Sequence, residues 1–340
     1  HLSGTPNINT IEAVFWVVSG IIDATDAIED LDYDSDEFTN NAASIVTPSL
    51  TAPAFGRGEH DSNSMCVTAA DPWTELLKFV AIVAAELNDK SSPYLLRSSS
   101  RLISRLMPII TQNPEFVGPI LFHLCSKALF HDASRVDGAE VFFELCRNRS
   151  CSRQIIRMDP ALTQTASILF TPRNSPGGEC VCLMRHLRAF PVTQLRVIDA
   201  FVSLQLGLPL SMRLPVAEST IQQLLSPLNL ATQCLNASSL AASASSRSLA
   251  ALRQKNLASE MIKRDLYALA RGILSIPMAL GGITMIDRLI TSVIHPILTA
   301  TDSNPSVIQG VSEIYKRISD LLEIEGAAQL KGARALAATL

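Results

Sequence analysis

Between residues 94 and 157 the chain carries two apolar helical stripes broken at Asn113-Pro114, followed by a segment that ends in a run of arginines. Leu95, Leu96, Leu102, Ile103, Leu106 and Ile110 recur at helical spacing before the break, and Phe116, Ile120, Leu121, Leu124 and Leu129 do so after it. Each helix has one apolar stripe, so each needs a neighbour, and a pair that still leaves a face uncovered needs another pair beside it. Repetition of such a unit along the chain predicts an all-α fold. The architecture expected is an α-solenoid of HEAT- or armadillo-like helical repeats wound into a right-handed superhelix. No stretch alternates with period two for long enough to argue a sheet.

Composition agrees with stacked helices. The 340 residues are 47% hydrophobic and 18% charged, but only 5% aromatic, so Leu, Ile, Ala and Val carry the packing. That length would ordinarily suggest about two domains, unless the architecture is one-dimensional, as repeats are. One continuous solenoid over 1–340 is expected, and the opening at His1, within about ten residues of a helix, reads as a fragment of a longer protein. The net charge of −4 offers no global field for a polyanion, so direct nucleic-acid binding is not expected. Seven cysteines, an odd number scattered through apolar segments, read as reduced thiols and not as a disulfide framework. The longest uncharged apolar run, 272–286, falls short of the roughly 20 residues that span a bilayer. No signal peptide opens the chain, and no membrane insertion is expected.

The first helix is predicted over 9–23, with Asn9 as N-cap and Glu12 three residues on, a capping-box arrangement. From 24 to 70 the chain is acidic and then rich in Ser, Thr, Asn, Gly and Pro, which predicts a disordered insertion between two helices of one repeat. Helices resume at Asp71-Pro72 and run to 87. More follow over 94–111, 114–131, 134–149, 151–157, 159–170, 179–189, 193–206 and 215–235, with turns at 172–178 and 207–215. An Ala/Ser-rich low-complexity segment, 236–248, reads as a loop or a weak helix. Four last helices are predicted over 250–275, 277–299, 304–323 and 325–339.

The run Asn113-Pro114-Glu115-Phe116-Val117-Gly118-Pro119-Ile120-Leu121, then residues 134–139 and Glu144-Leu145-Cys146-Arg147, resembles the middle repeats of the importin-β (karyopherin-β) superfamily. The nearest branch is that of transportin-SR and importin-thirteen. The likeness extends to Ile11-Glu12-Ala13-Val14-Phe15-Trp16 and to the helix around Ile314-Tyr315-Lys316-Arg317, so it spans most of the chain at low identity. The resemblance implies a non-enzymatic nuclear transport receptor that shuttles between cytoplasm and nucleus. Protein cargo would lie against the concave surface formed by the second helix of each repeat, and the small GTPase Ran carrying GTP would expel it. Ran would be held mainly by N-terminal repeats absent here, and nucleoporins are further candidate partners. A HEAT scaffold unconnected with transport is the alternative, and an all-helical enzyme without a visible active site is the rival from another class.

Arg147, Arg149, Arg153 and Arg157 are the sharpest binding candidates. The last three sit at i, i+4 and i+8, one face of a continuing helix, where guanidinium forks would grip carboxylates or phosphoserines of a cargo. A solvated face, or salt bridges between adjacent repeats, is the competing reading. Receptors of Ser/Arg-rich cargo in the resembled branch use an arginine-rich helix that aligns with 307–323. Here it carries only Lys316 and Arg317, a departure that weighs against such cargo. Asp23, Asp26, Glu29, Asp30, Asp32, Asp34, Asp36 and Glu37 crowd one segment with no Lys or Arg before Arg57. They read as a self-repelling solvated loop or as an acidic arm that screens basic cargo or Ran.

No catalytic residue, cofactor site or metal site is expected. Cys180, Cys182 and His186 offer three soft ligands with no obvious fourth, and read as helix residues after the Pro176-Gly177-Gly178 turn. His123 and His131 lack an HExxH motif or an acid at ligand spacing. No nucleophile elbow, Walker loop or dinucleotide fingerprint occurs, and Gly281-Gly282 reads as close helix packing or a kink. The two glycosylation sequons, at Asn148 and Asn236, stand in a chain with nothing else secretory.

Overall fold

The computed structural model describes residues 93–174, 180–242, 249–278, 281–301 and 304–324, with isolated positions between 13 and 17 and between 75 and 80. The acidic segment, the insertion over 24–70 and the helix predicted over 325–339 lie outside the described residues. What is described is all-α. The helices are α1 (Pro93–Arg105), α2 (Met107–Gln112), α3 (Val117–Ser126), α4 (Arg135–Arg147), α5 (Arg149–Met158), α6 (Thr163–Phe170), α7 (Leu183–Leu187), α8 (Pro191–Leu206), α9 (Leu210–Ala242), α10 (Leu249–Ile273), α11 (Gly282–Leu289), α12 (His295–Ala300) and α13 (Pro305–Ile324). Short 3-10 turns, Pro114–Phe116 and Ala128–Phe130, flank α3, and a π turn, Ile290–Ile294, joins α11 to α12. Among the described residues the one extended pairing is a two-residue antiparallel rung, Arg173–Asn174 (β1) with Cys180–Val181 (β2). It starts within the span 179–189 predicted as helix, which leaves α7 shorter than that span.

Polar residues set the breaks. Asn113 begins the 3-10 turn that Pro114 opens. The Asn148 side chain accepts from the amides of Ser150 and Cys151 at 2.9 and 3.2 Å, capping α5. Buried Asp159 accepts from the Thr165 amide at 2.8 Å and from the hydroxyls of Thr163 and Thr165, so the predicted 159–170 helix starts four residues late. Leu162, in the left-handed region at φ 51, makes that entry turn. One expectation on α9 needs correction. The helix begins at Leu210, inside the turn predicted over 207–215, and carries Pro215 and Pro227 inside its 33 residues. Each proline removes one ladder donor without ending the helix, because α9 is held along its length by α8 and α10. The helix also runs through 236–242, the weak-helix alternative for the start of the Ala/Ser-rich segment.

Five helices, α1, α4, α8, α10 and α13, form a row in which neighbours pack and run in the same direction. The direction is fixed by pairs of contacts. Arg97 and Ser104 of α1 meet Asp137 and Glu144 of α4 in the same order. Arg135 and Glu140 at α4 meet Phe190 and Arg196 at α8. Arg188 and Asp199 meet Asp265 and Arg271 of α10, and Glu260 and Leu266 meet Ser306 and Gly310 of α13. Helices that run the same way must be joined by chain that travels back, and α2–α3, α5–α7, α9 and α11–α12 do so. Leu95, Leu102, Phe142, Leu145, Val197, Phe201, Leu266, Leu269, Ile314 and Ile318 carry the row's side of a continuous core.

Glycine sets the closest approaches. A Cβ on Gly310 would stand 2.8 Å from Cβ and Cδ1 of Leu266, and one on Gly272 would stand 2.6 Å from Leu224 Cδ1. Gly281, at φ 96, turns the chain into α11, and Gly282 lies where a Cβ would meet the Pro277 carbonyl oxygen at 2.3 Å. The Gly281-Gly282 pair therefore serves packing and a turn. The apolar stretch 282–300 is long enough to cross a membrane, yet its exposed positions are Thr284, Asp287, Arg288, Thr291, Ser292, His295, Pro296 and Thr299, so it packs by one side.

One ion pair in the row is deeply buried. Arg188 pairs with Asp265, which is 2% exposed, and burial pushes the Asp265 carboxyl up to about 6 against the opposing pull of Arg188. A carboxyl raised in this way contributes stability below its unfolded value and loses it as pH rises through the folded one. Wild-type stability measured against Asp265→Asn should therefore fall between about pH 4 and pH 6 and level off above, as urea midpoints across that range would register. Gly310→Val should cost about 1–3 kcal/mol by overpacking the α10–α13 contact, read as a lower urea midpoint at unchanged slope.

Candidate functional site: the polar face of the helix row

The face of the row turned from its core is polar, and its charges alternate from helix to helix. Asp137 accepts from Nε of Arg97 and of Arg101 at 3.2 and 3.3 Å. Glu140 takes the Arg196 guanidinium with both oxygens, through Nη2 and through Nε at 2.8 Å. Asp199 lies 3.6 Å from Arg271 and feels Arg196 and Arg317 at longer range, although burial still raises its carboxyl.

Between α1, α4 and α8 this face opens into a cleft of about 440 Å³ lined by Ser104, Met107, Glu140, Phe143, Glu144, Arg147, Asn148 and Arg196. Phe143 is its aromatic floor. The Arg196 guanidinium lies 3.4 Å from the ring centroid, and Arg147 stands at 5.9 Å. Glu144 receives a hydrogen bond from the Ser104 hydroxyl at 3.2 Å. Burial raises the Glu144 carboxyl, the Ser104 bond works against that rise, the neighbouring Glu140 adds to it, and Arg196 offsets part of it.

The arginines singled out from the sequence fall in two places. Arg147 lines the cleft. Arg149, Arg153 and Arg157 are exposed along α5, which packs on α2, α3 and the 3-10 turn at 114–116, in the returning layer. Among the described residues none of these three forms an ion pair, so the inter-repeat salt-bridge reading finds no partner for them. On α13, Lys316 is exposed, whereas Arg317 is held by Glu313 at 2.8 Å and Asp320 at 3.1 Å on its own helix. Asp30, Asp32, Asp34, Asp36 and Glu37 lie outside the described residues.

The remaining chemistry-bearing groups are structural. His123 is fully buried with Nε2 3.1 Å from the Ser99 hydroxyl, whose proton goes to the Leu96 carbonyl. His186 packs between Phe130 and Phe190, with Nε2 3.3 Å from the Arg135 guanidinium. Arg135 is itself 4% exposed, lies 3.4 Å over the Phe190 ring and pairs with Asp132. This clamp ties the start of α4 to α7 and α8. It also commits His186 away from Cys182, and among the described residues no group of three His, Cys, Asp or Glu is placed to hold a metal ion.

No protein family, curated protein or solved structure matches the chain.

Burial raises the Cys146 thiol well above its ordinary value, with Cys125 and Cys151 adding to the rise, and lifts the Cys151 thiol to about 11. Thiolate is the reactive form. Cys125, Cys146 and Cys151 should resist iodoacetamide at pH 8 in native protein and react fully in urea, as peptide mapping would show.

Proposed function

We propose that the chain is part of a non-enzymatic, protein-binding α-solenoid, with HEAT-like repeats in a right-handed superhelix, that works as a nuclear transport receptor. The observation that carries the solenoid reading is the row of same-direction helices. A repeat made of one row helix and one returning segment covers its apolar face only by stacking on the next, and leaves the opposite face of the row free. That free face is polar, charged on every helix and indented by a cleft, which suits an extended protein partner better than a small substrate. Protein cargo would lie along it, and Ran carrying GTP would change the pitch of the stack and release it. The transport reading rests on the resemblance of residues 113–121, 134–139 and 144–147 to importin-β repeats. A receptor of this kind shuttles between cytoplasm and nucleus and needs no cofactor.

Capture of the full-length protein on Ran loaded with GTP or GDP tests this directly. Retention by the GTP form over the GDP form is the expected result, and equal retention would leave a HEAT scaffold unconnected with transport. The exposed strip on α5 stands in the returning layer, off the row's polar face, so it tests a second contact, made by a cargo that also reaches this layer. Replacing Arg149, Arg153 and Arg157 together by Glu should weaken an acidic or phosphorylated cargo, with a loss that shrinks as salt is raised. Stability should change by less than about 0.5 kcal/mol per site, since all three are exposed. Unfolding of the triple variant with cargo affinity unchanged would make the strip a structural element.

A further inference from the structure

Glu144 is the one carboxylate of the row, among the described residues that are not exposed, with no cation at ion-pair distance. Asp137 has Arg97 and Arg101, Glu140 has Arg196, Asp199 has Arg271, Asp265 has Arg188, Glu260 has Lys263, and Glu313 and Asp320 share Arg317. Glu144 has only the Ser104 hydroxyl. It is half-buried, and it lines an open cleft.

The neighbouring rung shows what this face does with a guanidinium. Arg196 reaches across from α8, lies flat on Phe143 and fills both oxygens of Glu140. Being committed there, it is not free for Glu144. Arg147, three residues on, is exposed at the rim and has no ion pair among the described residues.

We propose that the cleft between α1, α4 and α8 receives an arginine side chain of a bound protein, with Glu144 as its carboxylate partner, Ser104 holding the carboxylate in place and Phe143 and Met107 flanking the stem. A volume of about 440 Å³ is ample for one long side chain. Arginine is favoured over lysine because a planar fork meets a carboxylate with two parallel bonds and has its stem against apolar surface. Arg147 at the rim then faces the peptide on either side of the anchor, so an acidic neighbour of the arginine completes the match. This inference rests on the reading of the row's polar face as a protein-binding surface and names what one part of that face selects.

The test titrates the full chain with acetyl-Gly-Arg-Gly-amide, followed by protein NMR, beside two controls: the isosteric citrulline peptide and the glutamate peptide. Saturable shifts at α1 and α4 with the arginine peptide alone are expected, weakened about tenfold or more by Glu144→Gln, since a bond to a charged group is lost. Ser104→Ala, which removes the hydroxyl that holds the carboxylate, should weaken the arginine peptide in the same direction and serves as the readout if the Glu144 variant does not fold. Equal shifts from citrulline and arginine, or affinity unchanged in Glu144→Gln or in Ser104→Ala, would each overturn the proposal. Ran capture is independent of this titration. A chain that captures Ran but ignores the arginine peptide loses this inference alone, and one that takes the peptide but ignores Ran loses the transport reading alone.

Discussion

The side-by-side packing of α1, α4, α8, α10 and α13 in one direction is the constraint from which the rest of this structure follows. Each of these helices is amphipathic, and fully burying one Leu or Ile side chain is worth about 1.5–3 kcal/mol, so no member is stable without its neighbours. Because they run the same way, the intervening chain has to return on the far side, which creates the second layer. Because burial is completed by that layer and by lateral neighbours, the opposite face has no packing duty. Its residues are free to be polar.

The ion pairs on that face therefore act more as register marks than as stabilisers. Exposed or half-exposed pairs such as Arg97 with Asp137 are worth no more than about 1 kcal/mol each. Their value is geometric, since a one-turn slip of α8 along α4 would take Arg196 off both Phe143 and Glu140. Arg188 and Asp265 are different. Asp265 is buried, and its desolvation is offset but not cancelled by the guanidinium, as the raised carboxyl shows. Removing either partner alone would leave the other stranded in the core.

Much of the local structure was legible in the residues. Asn148 and Asp159 mark breaks through side-chain bonds to following amides, and Pro114 marks one by opening a new turn. The stripes of α1–α2 and of α3 with its flanking 3-10 turns could be read from spacing alone. Local rules fail at α9, where Pro215 reads as the end of a turn but tertiary packing carries the helix through it, and at Cys180–Val181, where two residues pair across a loop. The cleft is less legible. Its place in the arginine run marks Arg147, while Phe143, Glu140, Glu144 and Arg196 carry no such mark. The first three sit within one helical turn or two of each other and were readable as a cluster. What was not readable is that Arg196, 56 residues away, lands on them, because that depends on how much chain the returning layer consumes.

That consumption is uneven. Contacting residues on adjacent row helices are separated by 40, 56, 72 (Asp199 to Arg271) and 46 positions along the chain, yet each pair meets side by side. The returning layer absorbs the difference, with two short helices and two 3-10 turns in one place and a single 33-residue helix in another. Insertions and deletions there change the length of a detour and not the order of residues along the polar face. A lineage of such chains can thus drift in length and in overall sequence likeness while the spacing of side chains across the row stays constant.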